Sequence, residues 1–208
     1  MKRSILVLPG GGYAGHAPHE GEPVAEWIRG LGWDARVVEY PVKTRHPGPL
    51  RAVQRELAAE RAAGYEQVGI LGFSAGGHLA GHATLVKDAV DRPDFAVLCY
   101  PVTTMQASTH IGSRTNLLGP RPSWWAKRAV SLPRLVTPET KPMFIWTTAG
   151  DHGVEYADHA YPLGQALARH NVEHDFHVFA DGGHGLGFAE GKPAAAWREL
   201  CAAWLERF

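Results

Sequence analysis

The sequence predicts an α/β fold in which helices cover both faces of a mostly parallel sheet of about six strands. Short apolar runs alternate with longer amphipathic segments along the whole chain, which is the pattern of successive strand–helix units. The 208 residues, 45% of them hydrophobic, suffice to build one sizeable core. The sequence contains no internal repeat, linker or low-complexity tract, so one domain over residues 1–208 is expected.

The strands are the short apolar runs that are rich in branched and aromatic side chains. They are predicted at residues 5–8, 35–39, 68–72, 95–100, 143–148 and 173–179. The helices are the longer segments with apolar residues at helical spacing. They are predicted at residues 20–31, 50–63, 76–86, 157–170 and 193–207. The last helix opens with Pro193, a residue that is favoured in a first helical turn.

One region interrupts this alternation. Residues 103–142 are rich in glycine and proline, and only a short helical stretch near residues 124–131 is expected within them. A long irregular segment in a compact domain is usually a functional loop or a lid. We therefore expect residues 103–142 to form a lid-like segment.

Charge and cysteine content exclude several classes of function. Acidic and basic residues number 21 each, so the neutral chain shows no electrostatic footprint for nucleic acid or an anionic membrane. Cys99 and Cys201 are expected to be structural thiols, because a domain of this size needs no disulfide.

The apolar run after Met1 is too short for a secretory signal, and no stretch approaches a membrane span. A cytoplasmic enzyme is expected, and homo-oligomerisation is left open.

The strongest motif is the stretch Gly72-Phe73-Ser74-Ala75-Gly76, directly after a predicted strand and before a predicted helix. It fits the G-x-S-x-G nucleophile elbow, whose sharp turn exposes the serine hydroxyl. The flanking glycines remove side chains that would collide with neighbouring backbone. Ser74 is the predicted nucleophile, and the N–H of Ala75 at the start of the helix is a predicted oxyanion donor.

A second glycine-rich stretch, Pro9-Gly10-Gly11-Gly12-Tyr13, follows the first predicted strand. Glycines there let backbone N–H groups approach a substrate carbonyl, which predicts the other half of an oxyanion hole. Gly11 and Gly12 are the expected donors, and Tyr13 is a substitute for one of them. A phosphate-binding loop is the alternative, but the stretch lacks the G-x-G-x-x-G spacing and the Lys-Ser or Lys-Thr of nucleotide loops.

A serine nucleophile needs a base and an acid that orients the base. The chain has 12 histidines, and chain order selects among them, because the acid follows the penultimate strand and the histidine follows the last strand in this kind of hydrolase. His184, in a glycine-rich loop after the last predicted strand, is the predicted base. Asp151, directly after the preceding strand, is the predicted acid. The competing acids are Glu155, Asp158 and Asp181.

Other histidines and aromatic residues suggest further sites. The pairs that resemble metal ligands are His16 with His19, His78 with His82, and His174 with His177. No glutamate follows the first histidine of the helical pair and no third ligand is evident, so we expect neither a metal nor a cofactor.

Tyr13, Trp124 and Trp125 are candidates for a platform that stacks on a sugar ring, and ordinary core or surface packing is the alternative.

Together these motifs resemble a known family. The stretches that carry the resemblance are Pro9-Gly10-Gly11-Gly12-Tyr13, Glu20-Gly21-Glu22-Pro23-Val24-Ala25, GFSAGGHL at residues 72–79, Asn116-Leu117-Leu118-Gly119, Thr148-Ala149-Gly150-Asp151 and Gly183-His184-Gly185. They are similar to those of the small carbohydrate acetyl esterases of the α/β-hydrolase superfamily, near the acetylxylan esterase and hormone-sensitive-lipase-like branches. The resemblance implies the α/β-hydrolase fold and hydrolysis of short acyl esters, such as acetyl groups on sugars, through an acyl-enzyme without a cofactor.

The sequence departs from the family pattern in two ways. It begins almost at the strand that carries the glycine loop, so the usual N-terminal strand hairpin is missing, which indicates either a minimal version of the fold or an imperfect start site. There is also no room for a large cap domain, so a minimal fold without one is expected. Pro9 stands where the lipase-like branch has a histidine. The expected partner is a small-molecule ester. An aryl formamidase or a peptidase would use the same triad, and a catalytically silent member of the fold would act as a binding module.

Overall fold

The computed structural model describes residues 2–87 and 92–208. Its centre is one sheet whose strands are β1 (Arg3–Leu8), β2 (Asp34–Val37), β3 (Gln67–Phe73), β4 (Phe95–Cys99), β5 (Met143–Thr148) and β6 (His174–Phe179). The strand order is β2-β1-β3-β4-β5-β6, and every neighbouring pair is parallel. The predicted six-stranded α/β sheet is confirmed.

The α-helices of the described residues pack on both faces of this sheet. They are α1 (Glu22–Gly30), α2 (Gly48–Ala62), α3 (Ser74–Leu85), α4 (Ile111–Leu118), α5 (Trp124–Ala129), α6 (Ala160–Arg169) and α7 (Trp197–Leu205). Helices α1 and α7 pack on the face that contains Ile5 and Val7, whereas α2, α3 and α6 pack on the face that contains Leu6 and Leu8. Successive residues of β1 therefore serve opposite faces, as the two-residue period of a strand requires.

The strand order places two loops side by side. Strand β1 lies between β2 and β3, so the winding of the chain reverses between β1 and β3 and a crevice forms at their carboxyl ends. Leu8 at the end of β1 pairs with Gly72 near the end of β3. The glycine loop that follows β1 and the serine turn that follows β3 consequently meet at this crevice.

Residues 103–142 are more regular than predicted, since they contain α4, α5 and a 3-10 turn at Leu132–Arg134. Helix α4 was absent from the sequence-based prediction because its N-cap is His110, whose ring nitrogen accepts the N–H of Ser113. Ser, Thr, Asp and Asn are the usual caps. Gly119, with a φ of 98°, ends the helix.

The ends of the other helices differ from the prediction by a few residues. The helices predicted at residues 20–31 and 193–207 are each preceded by a 3-10 turn, at Pro18–Glu20 and Pro193–Ala196. No helix in the described ranges combines the length and the apolar character needed to cross a bilayer. The predicted domain over residues 1–208 includes Met1 and residues 88–91, which lie outside the described residues.

Candidate active site

Ser74 lies in a sharp turn between β3 and α3. Its backbone φ is 51°, in the left-handed region that residues with a side chain rarely adopt. A β-carbon on Gly76 would lie 2.2 Å from the carbonyl oxygen of Leu8, so only glycine fits there. Helix α3 can therefore begin directly against the end of β1, which holds the side chain of Ser74 at the carboxyl ends of the strands.

Three of the predicted site residues form one hydrogen-bonded chain. The Oγ of Ser74 lies 2.7 Å from Nε2 of His184, and Nδ1 of His184 lies 2.7 Å from Oδ2 of Asp151. Because a carboxylate oxygen only accepts, Nδ1 carries the proton and donates it to Asp151. Nε2 is then the acceptor for the serine hydroxyl, so the imidazole is oriented to take the serine proton.

The carboxyl group of Asp151 is buried and ionised. Burial raises its pKa, but the hydrogen bond and charge of His184, together with the N–H groups of Val154 and Gly153, outweigh burial and lower the pKa below its ordinary value. Oδ1 accepts from Gly153 at 2.9 Å and from Val154 at 2.8 Å, which leaves Oδ2 for His184. The competing acids are all exposed: Glu155, Asp158 and Asp181.

The glycine loop after β1 lies against the nucleophile. A β-carbon on Gly10 would lie 3.1 Å from Cβ of Ser74. Gly11 has a φ of 129°, which permits a turn that other residues rarely make. Within the described residues, no hydrogen bond is donated by the backbone N–H of Gly11, Gly12 or Ala75. These three groups are therefore available to an incoming oxyanion.

The aromatic residues predicted as a sugar platform are not brought together. Tyr13 is fully buried, and its hydroxyl donates to Nδ1 of His78 at 2.7 Å, while Nε2 of His78 donates to the carbonyl of Val130 at 2.7 Å. The ring of Tyr13 cannot stack on a sugar, which corrects that prediction for its side chain. Trp124 and Trp125 are exposed on α5 with ring centroids 4.5 Å apart. Across residues 2–87 and 92–208, no hydrogen bond or ring contact joins this pair to the triad.

A buried carboxylate links three loops of the site. Glu20 is 1% exposed; its Oε2 accepts the N–H of Gly10 at 2.8 Å and its Oε1 accepts the hydroxyl of Tyr100 at 2.6 Å. The hydroxyl oxygen of Tyr100 accepts the N–H of Gly187 at 2.8 Å. The ring of Tyr100 also packs edge-on against His184, with centroids 5.1 Å apart. Sequence reasoning included Glu20 in a motif but assigned it no role.

Helix α4 contacts the glycine loop as well. The amide of Asn116 donates to the carbonyl of Gly12 at 2.9 Å. A β-carbon on Gly12 would lie 3.5 Å from Cε1 of His110 and 3.8 Å from Oγ of Ser113. The sequence did not identify His110, Ser113 or Asn116 as site residues. Of these three, only Asn116 lies in one of the motifs that carry the family resemblance.

The histidine pairs have other partners. His82 stacks on His46 with ring centroids 5.3 Å apart, and burial lowers the pKa of His82 well below its ordinary value. Nε2 of His16 is 3.0 Å from the carbonyl of Tyr40. In the described part of the chain, no group of three or more His, Cys, Asp or Glu side chains is placed to hold a metal ion. His16 and His82 therefore serve as packing residues.

The chain is similar in sequence to known proteins. The profile of the prolyl oligopeptidase family matches residues 43–208. Endo-1,4-beta-xylanase B from Butyrivibrio fibrisolvens is 34% identical over 93% of this chain and 34% of its own length. An acetylxylan esterase from Xylanibacter ruminicola is 28% identical over 89% of this chain and 41% of its own length. The chain thus spans between a third and a half of these curated relatives.

The chain is also similar to solved structures. An acetyl ester-xyloside bifunctional hydrolase from Caldicellulosiruptor lactoaceticus superposes with a TM-score of 0.93 at 35% identity, over 100% of this chain and 83% of that chain. The family profile covers well over half of the sequence, and the superposition includes the whole sheet and its loops. The chain therefore belongs to the prolyl oligopeptidase family and to the carbohydrate esterase group of α/β-hydrolases.

Proposed function

We propose that the chain is a serine carboxylesterase that removes short acyl groups, with acetyl esters of carbohydrates as its substrate class. The observation that carries this proposal is the hydrogen-bonded chain from Ser74 through His184 to Asp151. The N–H groups of Gly11, Gly12 and Ala75, which donate no hydrogen bond among the described residues, add a candidate site for the negative charge of an acyl-transfer intermediate. The substrate class is supported by the names of two relatives, an acetylxylan esterase and an acetyl ester-xyloside hydrolase.

Acylation begins when Oγ of Ser74 attacks the ester carbonyl carbon and its proton passes to Nε2 of His184. Asp151 stabilises the imidazolium that forms, since its carboxylate is already ionised. The N–H groups of Gly11, Gly12 and Ala75 bind the oxyanion, and each is expected to contribute about 10²- to 10³-fold to kcat. The alcohol leaves with the proton from His184, so an acyl group remains on Ser74.

Deacylation repeats the same steps with water as the nucleophile. His184 takes a proton from the water as its oxygen attacks the acyl carbon. The bond between the acyl group and Oγ then breaks, the serine oxygen recovers its proton from His184, and the carboxylic acid departs. The cycle consumes one ester and one water, yields one alcohol and one acid, and needs no cofactor.

The test is hydrolysis of 4-nitrophenyl acetate, butyrate and octanoate by the wild type and by Ser74→Ala, with labelling by an organophosphonate. We expect turnover to fall with acyl length, and Ser74→Ala to lose both turnover and label. Ser4→Ala is the matched control: Ser4 is a buried serine of β1 whose hydroxyl has no hydrogen-bond partner in the described residues. It should retain both turnover and label.

Two outcomes would overturn the proposal. Absence of both turnover and label in the wild type would indicate a catalytically silent binding protein, the alternative considered from the sequence. Cleavage of peptide 4-nitroanilides at a higher kcat/KM than any ester would indicate a peptidase, and a preference for N-formyl anilines would indicate an aryl formamidase. A cytoplasmic location stays a prediction from the sequence, which leaves homo-oligomerisation open.

A further inference from the structure

His110 lies beside the glycine loop of the proposed site, although it belongs to neither the triad nor the oxyanion donors. Its ring is half-buried, and its Cε1 would contact a β-carbon on Gly12 at 3.5 Å. Burial lowers the pKa of His110, the charge of His184 lowers it further, and the charge of Asp151 opposes both. The imidazole is therefore close to the oxyanion loop and within electrostatic range of the base.

The hydrogen bonds of His110 define where its proton lies. Nδ1 accepts the backbone N–H of Ser113 at 3.2 Å and is 2.8 Å from the hydroxyl of Ser113. A backbone N–H only donates, so Nδ1 has no proton and the neutral ring carries its proton on Nε2. Across the described residues, Nε2 of His110 makes no hydrogen bond.

The position of the leaving alcohol follows from the proposed reaction. His184 must deliver its proton to the departing oxygen, so the alcohol lies beside His184 while the acyl carbonyl lies beside the N–H of Gly12. The ring of His110 lies beside Gly12, so a donor on this ring is near the atoms next to the ester linkage. An alkyl alcohol there would leave this donor without the hydrogen bond that it makes with water.

We propose that Nε2–H of His110 donates a hydrogen bond to a free hydroxyl on the carbon next to the esterified carbon of the substrate alcohol. This inference rests on the proposed esterase function and narrows the substrate class to partly acylated polyols, such as a sugar ring with one acetyl group beside a free hydroxyl. Ser113 serves as the positioning residue that fixes the ring and its tautomer.

The test compares two substrates that differ by that hydroxyl alone. One is a methyl xyloside with a single acetyl group beside a free hydroxyl, and the other is the matched deoxy xyloside that lacks this hydroxyl. The wild type should hydrolyse the hydroxyl-bearing ester with a kcat/KM about tenfold higher, which corresponds to one hydrogen bond. In His110→Asn this ratio should fall to about one, because the asparagine amide cannot reach as far as Nε2.

The variants are chosen to preserve the fold. Asparagine and serine are favoured N-caps, so His110→Asn and His110→Ser keep an acceptor for the N–H of Ser113 and preserve α4. Asn116→Ala is the control for general loosening of the glycine loop, since it removes the donor to the carbonyl of Gly12. It should lower kcat/KM for both esters and leave the tenfold ratio intact.

Each outcome separates this inference from the proposed function. A ratio near one in the wild type, with both esters hydrolysed, would overturn the role of His110 and leave the esterase proposal standing. A tenfold ratio retained in His110→Asn and His110→Ser would also overturn it. If the wild type hydrolyses neither xyloside nor any 4-nitrophenyl ester, the proposed function itself fails.

Discussion

Tyr100 donates its phenolic hydrogen to Oε1 of Glu20 across 2.6 Å, although 80 positions separate the two residues in the sequence. Both side chains are buried, and burial raises the pKa of Tyr100 well above its ordinary value, so the hydroxyl stays a donor. Through Gly10 on one side and Gly187 on the other, this bond connects the glycine loop to the loop of His184. Two chain segments that the proposed reaction needs together are therefore held by one buried contact.

Tyr100→Phe is expected to lower the free energy of unfolding by about 1–3 kcal/mol and to lower kcat. The substitution removes the hydrogen bond to Oε1 of Glu20 and leaves the N–H of Gly187 without its acceptor. Urea unfolding and ester hydrolysis measure the two effects. Tyr65→Phe is the matched control, because Tyr65 donates to Asp34 at the surface. Equal, small losses for both variants would contradict a special role of the buried bond.

Asp151→Asn is expected to lower kcat on the order of 10⁴-fold with little change in the fold. The amide oxygen can still accept from Gly153 and Val154, but the amide nitrogen then faces Nδ1 of His184 and forces the proton to Nε2. A ring with its proton on Nε2 cannot take the hydroxyl proton of Ser74. Hydrolysis of 4-nitrophenyl acetate measures the effect. Asp158→Asn, at an exposed position, should act at the wild-type rate, and an equal loss there would refute this role for Asp151.

Stability is expected to fall as the pH is lowered from about 6.5 to about 4. Burial lowers the pKa of His78 from 6.5 to about 4, so below pH 6.5 the unfolded chain binds a proton that the folded chain does not. The loss attributable to His78 is on the order of 3 kcal/mol. His78→Gln should therefore flatten the pH dependence of urea unfolding over this range. The exposed variant His152→Gln should follow the wild-type curve, and a wild-type slope in His78→Gln would contradict the assignment.

Both cysteines are expected to be unreactive in the native protein. Cys99 and Cys201 are free and fully buried, and burial raises the pKa of each thiol. The thiolate is the reactive form, so a chromogenic disulfide reagent should detect no thiol under native conditions and two after denaturation in guanidinium. Fast reaction of a thiol in the native state would show that one of these cysteines is accessible.

The sequence predicted those parts of the fold and site that have a local signature. The strands were found because each is a short apolar run, and their parallel arrangement follows from the helices between them. Ser74, Asp151 and His184 were selected because each lies directly after a strand end, and parallel strands bring their carboxyl ends to one edge of the sheet. The structure joins these three residues in one hydrogen-bonded chain.

Only the tertiary structure decided which other side chains meet the site. The burial of Tyr13 against His78, the bond between Glu20 and Tyr100, and the placement of His110 over Gly12 all join residues far apart in the chain. Such contacts depend on how helices and loops pack across the sheet, and no period or motif in the sequence encodes that packing. Periodicity and strand ends alone thus predicted the sheet and the candidate triad, whereas long-range packing determined which other residues contact the triad and its loops.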